Sequence, residues 1–107
     1  MKKRIYISGK ITGTADYMER FANAQKELEA QGYSALNPAA VGSLMPSDTE
    51  YEEYMDMCFT MLFMCDTIFM LKGWEDSPGA NRERDFAMRY GYTILYEECE
   101  EGGELPC

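Results

Sequence analysis

The sequence predicts an α/β fold: one domain on an open parallel sheet of about four to five strands, with helices on both faces. Three observations predict it. Short β-rich runs alternate with longer runs of helical period along the chain. Glycine or proline marks most of the changes between them. The resulting order, β-α-β-α-β-α-β, requires crossover connections, and crossovers join parallel strands.

Residues 4–8 (RIYIS) read as the first strand, because Ile5 and Ile7 are β-branched, Tyr6 is aromatic and a glycine follows at once. Gly9, Lys10, Ile11, Thr12 and Gly13 form a short loop bounded by glycines. Thr14 or Asp16 then caps a helix that runs to about residue 31, with Tyr17, Phe21, Ala24 and Leu28 on one face and Gly32 at its end. A strand, a glycine loop and a helix can cradle an anion, or can simply make a tight turn. The Walker and dinucleotide glycine patterns are both missing from the sequence. Residues 33–36 are a short second strand; Asn37-Pro38 breaks it and a loop runs to about Pro46.

Ser47, Asp48 and Thr49 offer caps for a helix over residues 50–65. Tyr51, Tyr54, Met55, Cys58, Met61, Leu62 and Cys65 make its apolar stripe. From Met57 onward it is apolar almost all round, through Phe59, Phe63 and Met64. Such a helix is expected to be buried on two sides, the second supplied by a partner subunit. Residues 66–70 are the third strand and 92–96 the fourth. The segment EECEEGGELPC reads as a solvated tail, so residues 1–97 form the domain and 98–107 an acidic tail.

Between the last two strands, Ser77 is a good N-cap, Pro78 suits the first helical position and Gly91 closes the helix. Ala80, Glu83, Ala87 and Tyr90 recur on the inward stripe, with Phe86 beside them, while Arg82, Arg84, Asp85 and Arg89 fall elsewhere. Glu83 is the odd member. It is a carboxylate near the start of a helix that follows a strand, where ligands bind in open α/β sheets. It can serve as nucleophile or base, or it can lean out to water or pair with an arginine; the pattern alone leaves both open.

Composition narrows the chemistry. The chain has 107 residues and a net charge of −9, which argues against general nucleic-acid binding. Glu97, Glu98, Glu100, Glu101 and Glu104 carry five of those charges and leave the rest near −4, so a local phosphate site is allowed. Histidine is absent, which excludes serine or cysteine triads that need it and any histidine metal site. Cys58, Cys65, Cys99 and Cys107 lack metal-ligand spacing and read as reduced thiols. No metal or cofactor is expected. No apolar run is long enough for a membrane span, and the apolar part of MKKRIYISG is too short for a signal peptide, so a cytoplasmic protein is expected.

With these residues laid out, the chain resembles the nucleoside 2-deoxyribosyltransferase superfamily, which has a flavodoxin/Rossmann-like fold. It looks most like a small branch, common in bacteria and phages, described only as a domain of unknown function. The resemblance covers about residues 3–96 and rests on three stretches: YISGKITG from Tyr6 to Gly13, SPGANRE from Ser77 to Glu83, and GWEDS from Gly73 to Ser77. It implies that Glu83 is the nucleophile and that Tyr6 orients it. Gly9, Lys10, Ile11, Thr12 and Gly13 would line the site, and Ser77 and Gly79 would cap the substrate. The sequence departs from the superfamily where an acid is usual on the second helix: that register holds Cys58. Asn81 and Arg82 also replace small or apolar residues. Asp56 and Asp76 are then the candidate proton donors, and Asp66 a weaker one.

The resemblance implies cleavage of an N-glycosidic bond, or 2-deoxyribosyl transfer, through a covalent glutamyl-sugar intermediate. Lys10, Thr12 and Ser77 tilt the expectation toward hydrolysis of a 2′-deoxynucleoside 5′-monophosphate. The rival reading is a protein that binds a nucleotide or nucleotide signal without cleaving it, as sensor or sponge. A third is a structural homodimer with a vestigial pocket. The expected partners are a small nucleoside or nucleotide and a second copy of the chain, with neither nucleic acid nor membrane.

Overall fold

A computed structural model of the chain describes residues 3–97. Four strands, β1 (Arg4–Ser8), β2 (Ser34–Leu36), β3 (Thr67–Met70) and β4 (Thr93–Tyr96), form one parallel sheet in the order β2-β1-β3-β4. This is the order of the first strands in a flavodoxin-like doubly wound sheet. The helices are α1 (Tyr17–Ala30), α2 (Pro38–Gly42), α3 (Tyr51–Phe63) and α4 (Pro78–Arg89).

The period of two along β1 divides the core. Ile5 and Ile7 face one side and pack with Phe21, Ala24 and Leu28 of α1, Ala39 of α2 and Leu71. Tyr6 faces the other side, with Ile68 and Met70 of β3, Cys58, Met61 and Leu62 of α3, and Ala80 and Ala87 of α4. The sheet is therefore covered by α1 and α2 on one face and by α3 and α4 on the other.

Local chemistry sets most of the helix ends. At the start of α4 the Ser77 hydroxyl accepts the Ala80 N–H at 3.1 Å, with Pro78 in the first turn. At its end Gly91 takes φ 73°, Tyr92 N–H reaches Ala87 O at 2.8 Å and Gly91 N–H reaches Met88 O at 3.3 Å. That is a Schellman stop, and α1 ends the same way: Tyr33 N–H reaches Leu28 O at 3.1 Å and Gly32 N–H reaches Glu29 O at 3.0 Å.

Three details differ from the sequence expectations. Asn37-Pro38 ends β2 but also starts α2: the Asn37 side chain accepts the Ala40 N–H at 3.2 Å, and proline suits a first turn. The same dipeptide can break a strand and begin a helix. The N-cap of α3 is Glu50, whose N–H is taken by the Glu53 carboxylate at 2.9 Å; Ser47, Asp48 and Thr49 precede it in the loop. Finally, Glu97 belongs to the sheet end rather than to a solvated tail. Its N–H bonds Met70 O at 2.8 Å, and its carboxylate accepts the Lys72 N–H at 2.8 Å. Residues 98–107, with Cys99 and Cys107, lie outside the described residues. Cys58 and Cys65 are buried free thiols, and among the described residues no helix is long and apolar enough to cross a membrane.

Candidate functional site

The carboxyl end of β1 carries Tyr6 and Ser8 on the α3/α4 face, two residues apart. Gly9 follows the strand directly against Leu71: a Cβ there would lie 2.9 Å from Leu71 Cδ1 and 3.0 Å from its Cβ, so a larger residue would force Leu71 to move. On α4 the inward stripe is Ala80, Glu83 and Ala87, which lays Glu83 over that strand end. Glu83 is 5% exposed. Its Oε2 accepts the Tyr6 hydroxyl at 2.6 Å and its Oε1 accepts the Ser8 hydroxyl at 2.6 Å. It neither leans out to water nor pairs with an arginine. Arg82 turns outward to Glu52 at 3.2 Å, beside the rings of Tyr51 and Phe59. Among the described residues no cation pairs with Glu83.

Around this carboxylate lies a cavity of about 670 Å³. Its floor is Tyr6, Ser8 and Glu83, and one wall is the loop Gly9, Lys10, Ile11 and Thr12. The start of α4 supplies Asp76, Ser77, Pro78 and Gly79. Helix α3 presents Tyr51, Tyr54, Met55 and Cys58, at spacings of three, one and three, and the preceding loop adds Met45 and Pro46. Gly79 leaves room between the walls: a Cβ there would stand 3.3 Å from both Met55 Sδ and Tyr51 Oη. The cavity sits where β1 is flanked by β2 on one side and β3 on the other. That is the topological switch point at which open α/β sheets bind ligands.

Burial dominates the electrostatics. It lifts the Glu83 carboxyl from its ordinary 4.5 to about 7, against the opposing pull of the Ser8 and Tyr6 hydroxyls and the nearby Cys58. Desolvation outweighs its hydrogen-bond donors, which leaves the carboxyl close to neutrality. Burial, reinforced by the Glu83 charge, raises Tyr6 well above its usual range and pushes the Cys58 thiol up to about 12. Burial also raises Tyr54, so all three stay neutral donors. The Tyr54 hydroxyl is buried without a hydrogen-bond partner among the described residues.

Of the residues read from the sequence, Glu83, Tyr6, Asp76, Gly9, Lys10, Ile11, Thr12, Ser77 and Gly79 come together around the cavity. Two do not. Gly13 lies beyond the lining, in a turn with φ 78°. Asp56 is exposed on the outer side of α3, because the adjacent Met55 occupies the inward position. Asp66 is likewise exposed, at the opposite end of β3. The Ser77 hydroxyl oxygen already accepts the Ala80 N–H of its own helix, Pro78 has no N–H and the Asn81 N–H bonds Ser77 O, so the Gly79 N–H is the one amide left over in the first turn of α4. The sequence reading passed over Ser8, although the alternation of β1 places it on Tyr6's side. It also passed over Tyr51 and Tyr54 as site residues; the stripe was visible, but not which part of it meets the cavity.

Fold and site thus define a class: a doubly wound parallel α/β protein with a buried carboxylate, unpaired by any described cation, at the strand ends. The chain belongs to the family described as Domain of unknown function (DUF4406), whose profile matches residues 3–96. No curated protein matches it.

Proposed function

We propose that the cavity takes a nucleoside or nucleotide and that Glu83 attacks its sugar. The reaction is N-glycosidic cleavage or 2-deoxyribosyl transfer, and the form we favour is hydrolysis of a 2′-deoxynucleoside 5′-monophosphate. The observation that carries this reading is Glu83 itself, a buried carboxylate bound only by hydroxyls on the floor of a cavity. A carboxylate so placed costs stability and is suited to a nucleophile. In the proposed step a Glu83 oxygen bonds to C1′ as the C1′–N bond breaks, and the electron pair leaves with the base, which takes a proton. Asp76, at the cavity wall, is the candidate donor, whereas Asp56 is turned away. Water then resolves the sugar ester in a hydrolase, and a second base in a transferase. Lys10, on the loop wall across from Asp76, supports a 5′-phosphate there.

A second reading, binding without cleavage, is favoured by one observation. With its carboxyl at about 7, much of Glu83 is protonated at neutral pH and unable to attack. Mass spectrometry of the protein after incubation with mixed deoxynucleosides and deoxynucleotides separates the two. A sugar adduct on Glu83 supports the enzyme, and intact bound nucleotide supports the binder. The absence of both leaves the third reading, a structural protein with an unused pocket.

The proposal includes a homodimer. Phe63, Met64, Met88 and Tyr90 are exposed at the outer ends of α3 and α4, where Phe86 contacts the Phe59, Phe63, Tyr90 and Tyr92 rings. An aromatic patch of this kind suits a self-complementary contact. Light scattering that finds only monomer at micromolar concentration would overturn it.

A further inference from the structure

Ser8 is 1% exposed, at the end of a strand whose other core residues are apolar or aromatic. A hydroxyl so deep needs a partner, and its partner is Glu83 Oε1 at 2.6 Å. Tyr6, two residues earlier on the same face, takes Oε2 at the same distance. One donor would leave the carboxylate free to rotate about its last side-chain bond. Two donors, one on each oxygen and both from one rigid strand, fix its plane. Each oxygen keeps a second lone pair available to the cavity.

The other groups around Glu83 do less. On α3, Cys58 adds a weaker pull after the two hydroxyls, and Tyr54 is a neutral neighbour. On α4, Arg82 is drawn outward to Glu52. The cavity walls carry Lys10, Glu50 and Asp76, none of them hydrogen-bonded to Glu83. The negative charge is thus held against burial mainly by two hydroxyls.

We propose that Ser8 is a positioning residue: with Tyr6 it clamps the Glu83 carboxylate, one hydroxyl on each oxygen, and aims it at the cavity. The role in chemistry rests on the deoxyribosyl reading, but the clamp can be tested without it. The Glu83 side-chain carboxyl can be titrated by carbon NMR, with its signal assigned by its loss in Glu83→Gln. Ser8→Ala should raise the midpoint by about one pH unit, a tenfold change in the ratio of ionised to protonated form. Ser8→Cys, a weaker donor of similar size, should fall between and covers the case in which the alanine variant fails to fold. The rate of sugar-adduct formation at neutral pH should drop in the same order and recover at higher pH. A Glu83 midpoint unmoved by either substitution overturns the proposal whatever the activity. A midpoint that moves in a protein that forms no adduct even as wild type upholds the clamp and removes the deoxyribosyl reading instead.

Discussion

The two faces of the sheet share strand β1 but use it differently. Toward α1 the strand shows Ile5 and Ile7, which pack with the apolar side chains of α1, Ala39 and Leu71, and only Ile7 and Phe21 of that cluster reach the edge of the cavity. Toward α3 and α4 it shows Tyr6 and Ser8, which meet a carboxylate, a thiol and a cavity. One face is packed for stability. The other gives up packing to hold a polar cluster at a strand end. The contrast teaches that in so small a domain the alternation of a single strand is enough to separate scaffold from site.

Glu83→Gln tests the contrast most severely. It keeps the shape and removes the charge, so it should abolish base release and any sugar adduct while ligand binding persists. Loss of the fold with activity unchanged would make Glu83 a structural partner and leave the mechanism without a nucleophile.

On the opposite face, Leu28→Ala should cost about 2–5 kcal/mol of stability, measured by denaturant unfolding, because Leu28 is buried among apolar neighbours away from the cavity. The pH response of Glu83 should not change in any variant that still folds. A shifted response would show that the two faces are not independent.

The third test is the pH dependence of stability. The folded-state carboxyl of Glu83 lies at about 7, above its ordinary 4.5, so the folded protein holds a proton that the unfolded chain has released. The contribution is therefore fully present below about 4.5 and is lost as pH rises through 7, by a few kcal/mol in all. Glu83→Gln should flatten that slope, and should match or exceed the wild type in melting temperature at pH 8. A slope identical in both proteins would refute the assignment.

Lys10→Ala should have a smaller and more selective effect. It should weaken a deoxynucleoside monophosphate roughly ten- to hundredfold and spare the free nucleoside, as loss of one charge-assisted contact would. Equal losses for both ligands, measured by calorimetry, would make Lys10 an ordinary loop residue.

The sequence alone determined the parallel α/β class and nearly every element, because strand period, helical period and glycine stops are local properties. Residues 77–91 show this best: cap, first-turn proline and terminal glycine all lie within the stretch they organise. Glu83 also stood out, as a charge on an apolar stripe. Where the signals were ambiguous the reading slipped, as at Asn37-Pro38, which both breaks β2 and caps α2. The tertiary structure decided what local pattern cannot encode. It set the second hydroxyl on Glu83, the inward place of Met55 that turns Asp56 outward, and the balance between burial and hydrogen bonding at the carboxylate. Each of these depends on residues tens of positions apart in the chain, and their separation is set only when the sheet and its helices close on one another.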